Sequence, residues 1–160
     1  MAAAAHVFYE LAAGVGMPFA SRVGPRPAAA LWGAGTALAL SEAGRRPSSH
    51  DGVFLALDAT YLAAVLAHFA AWPRTRVLGL PWLTECEGLT GSAIRPYNAI
   101  LYASAVTALG GLLENRRGIG PGAAVPLLLV PALMRLQHDE LSRLREQAQR
   151  DPGWWNRRLR

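Results

Sequence analysis

The stretch VFLALDATYLAAVLAHFAAW, residues Val53–Trp72, decides the fold that we expect of this chain. It is 20 residues long, contains one acid and one histidine, and is followed by Pro73 and Arg74. A helix of about 20 mostly apolar residues is long enough to cross the ~30 Å hydrocarbon core of a bilayer. The stretch therefore predicts a transmembrane helix around which shorter helices pack.

The amino-acid composition also favours a membrane protein. Of the 160 residues, 52% are hydrophobic and only 17% are charged, whereas about 25% of the residues of a soluble domain are charged. Residues 96–113 contain no charged side chain. All 16 basic residues are arginine, which is typical of a GC-rich genome and carries no chemical meaning by itself.

Four further apolar runs accompany the central one, and Pro- and Gly-rich segments separate them. The first run is short, so it predicts either a tilted span or a helix at the membrane interface. The expected fold is an all-α integral membrane bundle of four or five transmembrane helices, with a C-terminal amphipathic helical extension. We assign residues 1–134 to the bundle and 135–160 to a basic amphipathic tail. The four further runs are residues 2–17, 28–43, 97–113 and 123–134.

The arginines indicate an orientation. Twelve of the 16 lie in the segments 21–27 and 73–96 and in the tail from Arg135. Because arginine-rich loops stay on the cytoplasmic side of a membrane, the C-terminus is expected on the cytoplasmic or matrix side. The membrane would be a bacterial plasma membrane or a eukaryotic organelle membrane, with its lipids as partners. No nucleic-acid-binding module is present in the sequence.

Several polar residues interrupt the apolar runs. On a helix, Asp58, Tyr61 and His68 fall within about 80° of one another. Glu10 lies one turn after His6 and can pair with it, while Asn98 and Tyr102 share a face of a later run. Because an ionisable group at membrane depth is costly, such residues face the interior of a bundle and line a site or pair with one another.

The long connection 73–96 contributes two more acids, Glu85 and Glu87. Asp58, Glu85 and Glu87 are the predicted catalytic residues, because buried carboxyl groups can act as general acids near neutral pH. Five further residues are the predicted substrate-binding residues. These are Glu10, Tyr61, His68, Asn98 and Tyr102.

The single cysteine, Cys86, excludes an internal disulfide. The histidines His6, His68 and His138 lie at no recognised ligand spacing, so we predict neither a metal nor a cofactor. Cys86 has no histidine near it in the sequence, and its acidic neighbours would raise its pKa, which argues against a nucleophile.

Two functional classes stay open. The first is a small polytopic membrane protein that acts as an accessory or structural subunit, or as an assembly factor, of a membrane complex. The second is a compact membrane-embedded enzyme that uses carboxylate acid/base groups on a lipid or isoprenoid-type substrate. The sequence favours the first only slightly. Convergence of the polar residues on one cavity would favour the second.

Overall fold

The computed structural model describes residues 2–45, 51–114 and 119–160. This part of the chain forms six α-helices, one short β-hairpin and a 3₁₀ turn at the C-terminal end. In chain order the elements are α1 (Ala2–Ala13), α2 (Ala20–Val23), α3 (Pro25–Arg45), α4 (Asp51–Ala71), β1 (Arg74–Val77), β2 (Leu80–Leu83), α5 (Ile94–Glu114), α6 (Ile119–Arg150) and the 3₁₀ turn Arg157–Leu159.

The predicted bundle of four or five transmembrane helices is wrong, although the predominance of helix is confirmed. Among the described residues, α4 alone is both long enough and apolar enough to cross a membrane, and one such helix is weak support for a membrane bundle. Helix α1 has 12 residues and is therefore about 18 Å long. Helices α3 and α5 have the length, but glycine and hydroxyl side chains dilute their apolar character.

Helix α4 lies at the centre of the fold and packs against both α5 and α6, while α1 packs against α5 and α3. Helix α6 runs without interruption through the boundary that we predicted at residue 134. Its C-terminal half and the segment after it contribute to the same hydrophobic core as α1 and α5. The contributing residues there are Leu141, Leu144, Ala148, Trp155 and Leu159.

A β-hairpin that the sequence did not predict follows α4. Strands β1 and β2 pair antiparallel, from Arg74 opposite Leu83 to Val77 opposite Leu80. The two residues between the strands, Leu78 and Gly79, have φ values of 51° and 81°. Two successive left-handed residues are what a two-residue hairpin turn requires. Leucine rarely adopts that conformation, so the turn has no recognisable sequence signature.

The short helix α2 is held against α6 by a single acid. The Glu140 carboxylate accepts hydrogen bonds from the backbone N–H of Ser21 at 3.1 Å and from the Ser21 hydroxyl at 2.6 Å. Glu140 is buried, with 8% of its surface exposed. Because an ionised acceptor makes stronger hydrogen bonds, this contact positions α2 beside α6 at the edge of an internal cavity.

Candidate functional site

A cavity of about 290 Å³ lies between α1, α4 and α6, with α2 and α3 at its edge. Its walls are mostly aliphatic. This is typical of ligand sites, which are concave, mainly apolar and supplied with a few polar groups. The aliphatic and sulfur-containing side chains that line it are Val7, Val15, Met17, Pro18, Ala64, Leu133, Leu136, Leu141 and Leu144.

Four ionisable side chains form a polar cluster in this cavity: His6, Glu10, His68 and Glu87. His6 and Glu10 are four residues apart on α1 and therefore share one helix face. His68 comes from α4. Glu87 lies in a tight turn closed by two backbone hydrogen bonds between Cys86 and Leu89, of 3.1 and 2.7 Å. Glu87 itself has a φ of 50° in that turn.

The orientation of the His68 ring is set by its Nδ1 atom. Nδ1 lies 2.6 Å from the backbone carbonyl oxygen of Ala64, which can only accept a hydrogen bond, so Nδ1 carries the proton. The side-chain amide nitrogen of Gln137 lies 3.1 Å from His68 Nδ1. The amide oxygen of Gln137 accepts a hydrogen bond from the indole N–H of Trp72. The Nε2 atom of His68 is therefore the ring nitrogen that faces the two carboxyl groups.

Glu10 and Glu87 approach that Nε2 atom from two sides. Nε2 is 4.0 Å from a Glu10 oxygen and 3.9 Å from a Glu87 oxygen, too far for a hydrogen bond. The Tyr97 hydroxyl donates a hydrogen bond to Glu10. Burial raises the pKa of Glu10 well above its usual range, and the nearby charge of Glu87 raises it further, while the Tyr97 bond opposes the shift. Two acids thus lie close together in an apolar setting.

His6 is the member of the polar cluster that has a ring nitrogen without a hydrogen-bond partner among the described residues. Its ring packs edge-to-face on His68 and Tyr97, with centroid distances of 5.7 and 6.4 Å. Burial, and secondarily the charge of His68, lower the pKa of His6 to about 3. The imidazole is therefore neutral, which is the form that binds metals. Its Nδ1 atom is buried and has no hydrogen-bond partner among the described residues.

Two overlapping sets of donor atoms could hold a metal ion. The first is His6, Glu10 and His68; the second is His68, Cys86 and Glu87. Within each set the donor atoms all lie within 4.8 Å of one another. Burial and the neighbouring carboxylates raise the pKa of the Cys86 thiol well above its usual range, so Cys86 is a protonated thiol in this setting. The sequence analysis predicted no metal here.

The structure brings four of the eight predicted site residues to the cavity: Glu10, Tyr61, His68 and Glu87. Glu85, two residues before Glu87, does not line it. The predicted roles of all eight residues stay predictions.

The other three residues lie elsewhere in the fold. Asp58 packs against Gly111 between α4 and α5, so closely that a Cβ at Gly111 would overlap the Asp58 carboxyl group. Asn98 bonds the backbone of β2 at Leu83, and Tyr102 donates to the carbonyl of Pro81.

Sequence reasoning missed three residues that complete the cluster: His6, Tyr97 and Gln137. His6 was considered as the partner of Glu10 and as a possible metal ligand, but the histidines show no recognised ligand spacing in the sequence. Tyr97 and Gln137 lie far away in the sequence on α5 and α6. Nothing local marks them, because their roles depend on which helices become neighbours.

No protein-family model, curated protein or solved structure matches this chain. The function is therefore argued from the cavity and from the side chains that line it.

Proposed function

We propose that this chain binds a lipid- or isoprenoid-type molecule in the cavity between α1, α4 and α6. The observation that carries the proposal is the uneven lining of the cavity. Its walls are mostly apolar, while His6, Glu10, His68 and Glu87 are grouped together on one part of the lining. A ligand with an apolar body and one polar end matches that distribution.

The aliphatic wall supplies most of the affinity. Leu133, Leu136, Leu141 and Leu144 of α6 follow a helical spacing and line one side of the cavity. Each methylene group that leaves water contributes about 0.8 kcal/mol. The volume of about 290 Å³ lies at the small end of ligand cavities, which suits a short chain or one end of a longer one.

The polar cluster would recognise the other end of the ligand. The carboxyl oxygens of Glu10 and Glu87 can accept hydrogen bonds from a ligand. Both residues and His68 line the same cavity. This convergence of Glu10, His68 and Glu87 supports a ligand-binding role over that of a purely structural subunit. Because Asp58, Asn98 and Tyr102 do not reach the cavity, the proposal assigns them no part in recognition.

Filling the cavity should abolish binding. Ala64 lines the cavity from α4, so Ala64→Trp places an indole in the space that the ligand needs. We expect protein purified in mild detergent to retain a defined lipid or isoprenoid, which native mass spectrometry would detect. Ala64→Trp should lose at least about 90% of this ligand. Such a tenfold change corresponds to about 1.4 kcal/mol of binding free energy.

The matched control is Ala70→Trp, on the same helix at an exposed position, which should retain the ligand. If neither the native chain nor the control retains any lipid or isoprenoid, the proposed function is refuted. If Ala64→Trp retains as much ligand as the native chain, binding occurs elsewhere.

A second candidate role, association with membrane lipids, is supported by helix α3. Leu31 and Leu38 lie seven residues apart, and therefore on one face, and are 59% and 62% exposed. Only Ala28 of α3 is buried. We propose that this face contacts the acyl region of a membrane. The predicted accessory-subunit role and the predicted cytoplasmic side of the C-terminus stay predictions.

Adding a charge to this face should weaken membrane association. We expect purified protein to float with phospholipid vesicles in a density gradient, and Leu38→Glu to reduce the floated fraction several-fold, because a carboxylate resists transfer into an apolar phase. Ala37→Glu adds the same charge at an exposed neighbouring position without removing a leucine, so its effect should be smaller. Equal flotation of Leu38→Glu and the native chain would contradict the proposal.

A further inference from the structure

The polar cluster contains two acids and no arginine. Glu10 is 2% exposed, and the Glu87 side chain is 18% exposed. Across residues 2–45, 51–114 and 119–160, neither acid forms an ion pair with an arginine. Buried acids in proteins are usually paired with a cation or coordinate a metal. A bound cation would therefore be a further partner for the two acids beside His68.

His68 is oriented as a metal ligand would be. Its Nδ1 atom lies 2.6 Å from the carbonyl oxygen of Ala64, and this contact sets the ring plane. In metalloproteins a ligating histidine almost always donates its second ring N–H to a backbone carbonyl or a carboxylate in this way. The free Nε2 atom, 3.9–4.0 Å from two carboxylate oxygens, borders the space into which a metal would fit.

His6 provides an independent indication. Its side chain is more than nine-tenths buried, with 8% of the residue exposed, and its Nδ1 atom has no hydrogen-bond partner among the described residues. A buried imidazole nitrogen without a partner loses its hydration without compensation. His6 belongs to the set whose donor atoms lie within 4.8 Å of one another, and a metal bound through Nδ1 would offset that loss.

The distances are compatible with coordination. Bonds of about 2.0–2.2 Å to a tetrahedral zinc ion place two donor atoms about 3.3–3.6 Å apart. The His68–Glu10 and His68–Glu87 distances of 4.0 and 3.9 Å exceed that by less than about 1 Å, which small side-chain rotations can close. Two imidazoles with carboxylates are a donor set suited to zinc and to other divalent first-row metals.

We propose that His6, Glu10 and His68 bind a divalent transition-metal ion of the zinc class, with Glu87 as the fourth protein ligand. Cys86 stays outside the coordination sphere, because the cluster offers two imidazoles and two carboxylates without it. The metal lies at the polar end of the cavity. This metal-site proposal rests on the proposed function in one respect only. The metal would act on the polar end group of the molecule bound in the cavity.

Cobalt(II) tests the site with the metal alone. We expect the metal-free full-length chain in detergent to bind one equivalent of Co²⁺, with visible d–d absorption of a four- or five-coordinate ion and no thiolate-to-cobalt charge-transfer band. Excess Zn²⁺ should displace the cobalt. His6→Ala and His68→Ala should each weaken binding by more than about 100-fold, since even outer-shell changes cost 10–100-fold.

Two variants serve as controls. His138→Ala removes an exposed histidine outside the cluster and should bind cobalt like the native chain, as should Cys86→Ser. Should the histidine variants fail to fold, the melting temperature of the native chain gives a second readout, because stoichiometric Zn²⁺ should raise it. Glu10→Gln should reduce that rise.

The possible outcomes separate the two proposals. No stoichiometric cobalt binding and no zinc-induced stabilisation would overturn the metal site while leaving lipid binding intact. A charge-transfer band that disappears in Cys86→Ser would overturn the ligand assignment in favour of His68, Cys86 and Glu87. Stoichiometric cobalt binding by a native chain that retains no lipid or isoprenoid would mean that the lipid proposal alone has failed.

Discussion

Asn98→Ala is expected to lower the free energy of unfolding by about 3–5 kcal/mol. The Asn98 side chain is fully buried. Its Oδ1 atom accepts from the N–H of Leu83 at 2.8 Å, and its Nδ2 atom donates to the carbonyls of Leu83 and Ile94 at 3.0 and 2.9 Å. Alanine would leave these buried backbone groups without the side-chain partners, at about 1–3 kcal/mol for each unsatisfied group.

The consequence should extend to the candidate site. Asn98 ties the end of β2 to the beginning of α5, and the turn that carries Glu87 lies between them. The adjacent residue, Tyr97, donates to Glu10. Loosening this connection should therefore weaken cobalt binding as well as stability, because metal sites depend on the groups that orient their ligands.

Chemical denaturation followed by circular dichroism measures the effect of Asn98→Ala. Thr107→Ala is the control on the same helix, because that hydroxyl is exposed and bonds only to carbonyls of its own helix. The control should change the free energy of unfolding by no more than about 0.5 kcal/mol. A loss below about 1 kcal/mol for Asn98→Ala would contradict the importance assigned to this side chain.

Gly88→Ala should lower the free energy of unfolding by about 2–4 kcal/mol. Gly88 has a φ of 89°, a conformation that costs an L-residue roughly 1–2 kcal/mol. An added Cβ would also lie 2.5 Å from a Leu159 methyl carbon and 3.5 Å from Val15. Leu159 is 6% exposed and belongs to the core, so it cannot move away freely.

Gly91→Ala separates the conformational cost of a positive φ from the cost of the steric clash. Gly91 also has a positive φ, 57°, but an added Cβ there would meet nothing within 4 Å. It should cost only the conformational part, about 1 kcal/mol. In the double variant Gly88→Ala/Leu159→Ala the clash is relieved, so its cost should be less than the sum of the two single costs. Equal losses for Gly88→Ala and Gly91→Ala would show that the clash has no effect.

The positions of the helices could be predicted from local pattern. The apolar run 53–72 corresponds to α4, Asp51–Ala71, and the run 97–113 lies within α5, Ile94–Glu114. Helix α6 ends at Arg150, directly before the sequence Asp151-Pro152-Gly153. These features follow from apolar runs and from Pro and Gly breakers, which act over neighbouring residues.

The two tight turns could not be predicted in this way. Leu78 and Glu87 adopt positive φ values that their residue types disfavour. The conformation is imposed by the strand pairing of β1 with β2 and by the backbone bonds between Cys86 and Leu89. No Asn-Gly or Asp-Gly signal marks either turn, so only the folded chain reveals that Glu87 enters the cavity while Glu85 does not.

The sequence by itself determined the helical character of the chain, the extent of its central helix and the shared face of His6 and Glu10, because each depends on residues within one or two turns of each other. Tertiary structure alone decided the grouping of His6, Glu10, His68 and Glu87 and the separation of Asp58 from them. The reason is that a site is assembled from helices distant in the sequence, and their neighbours are chosen by packing over the whole chain.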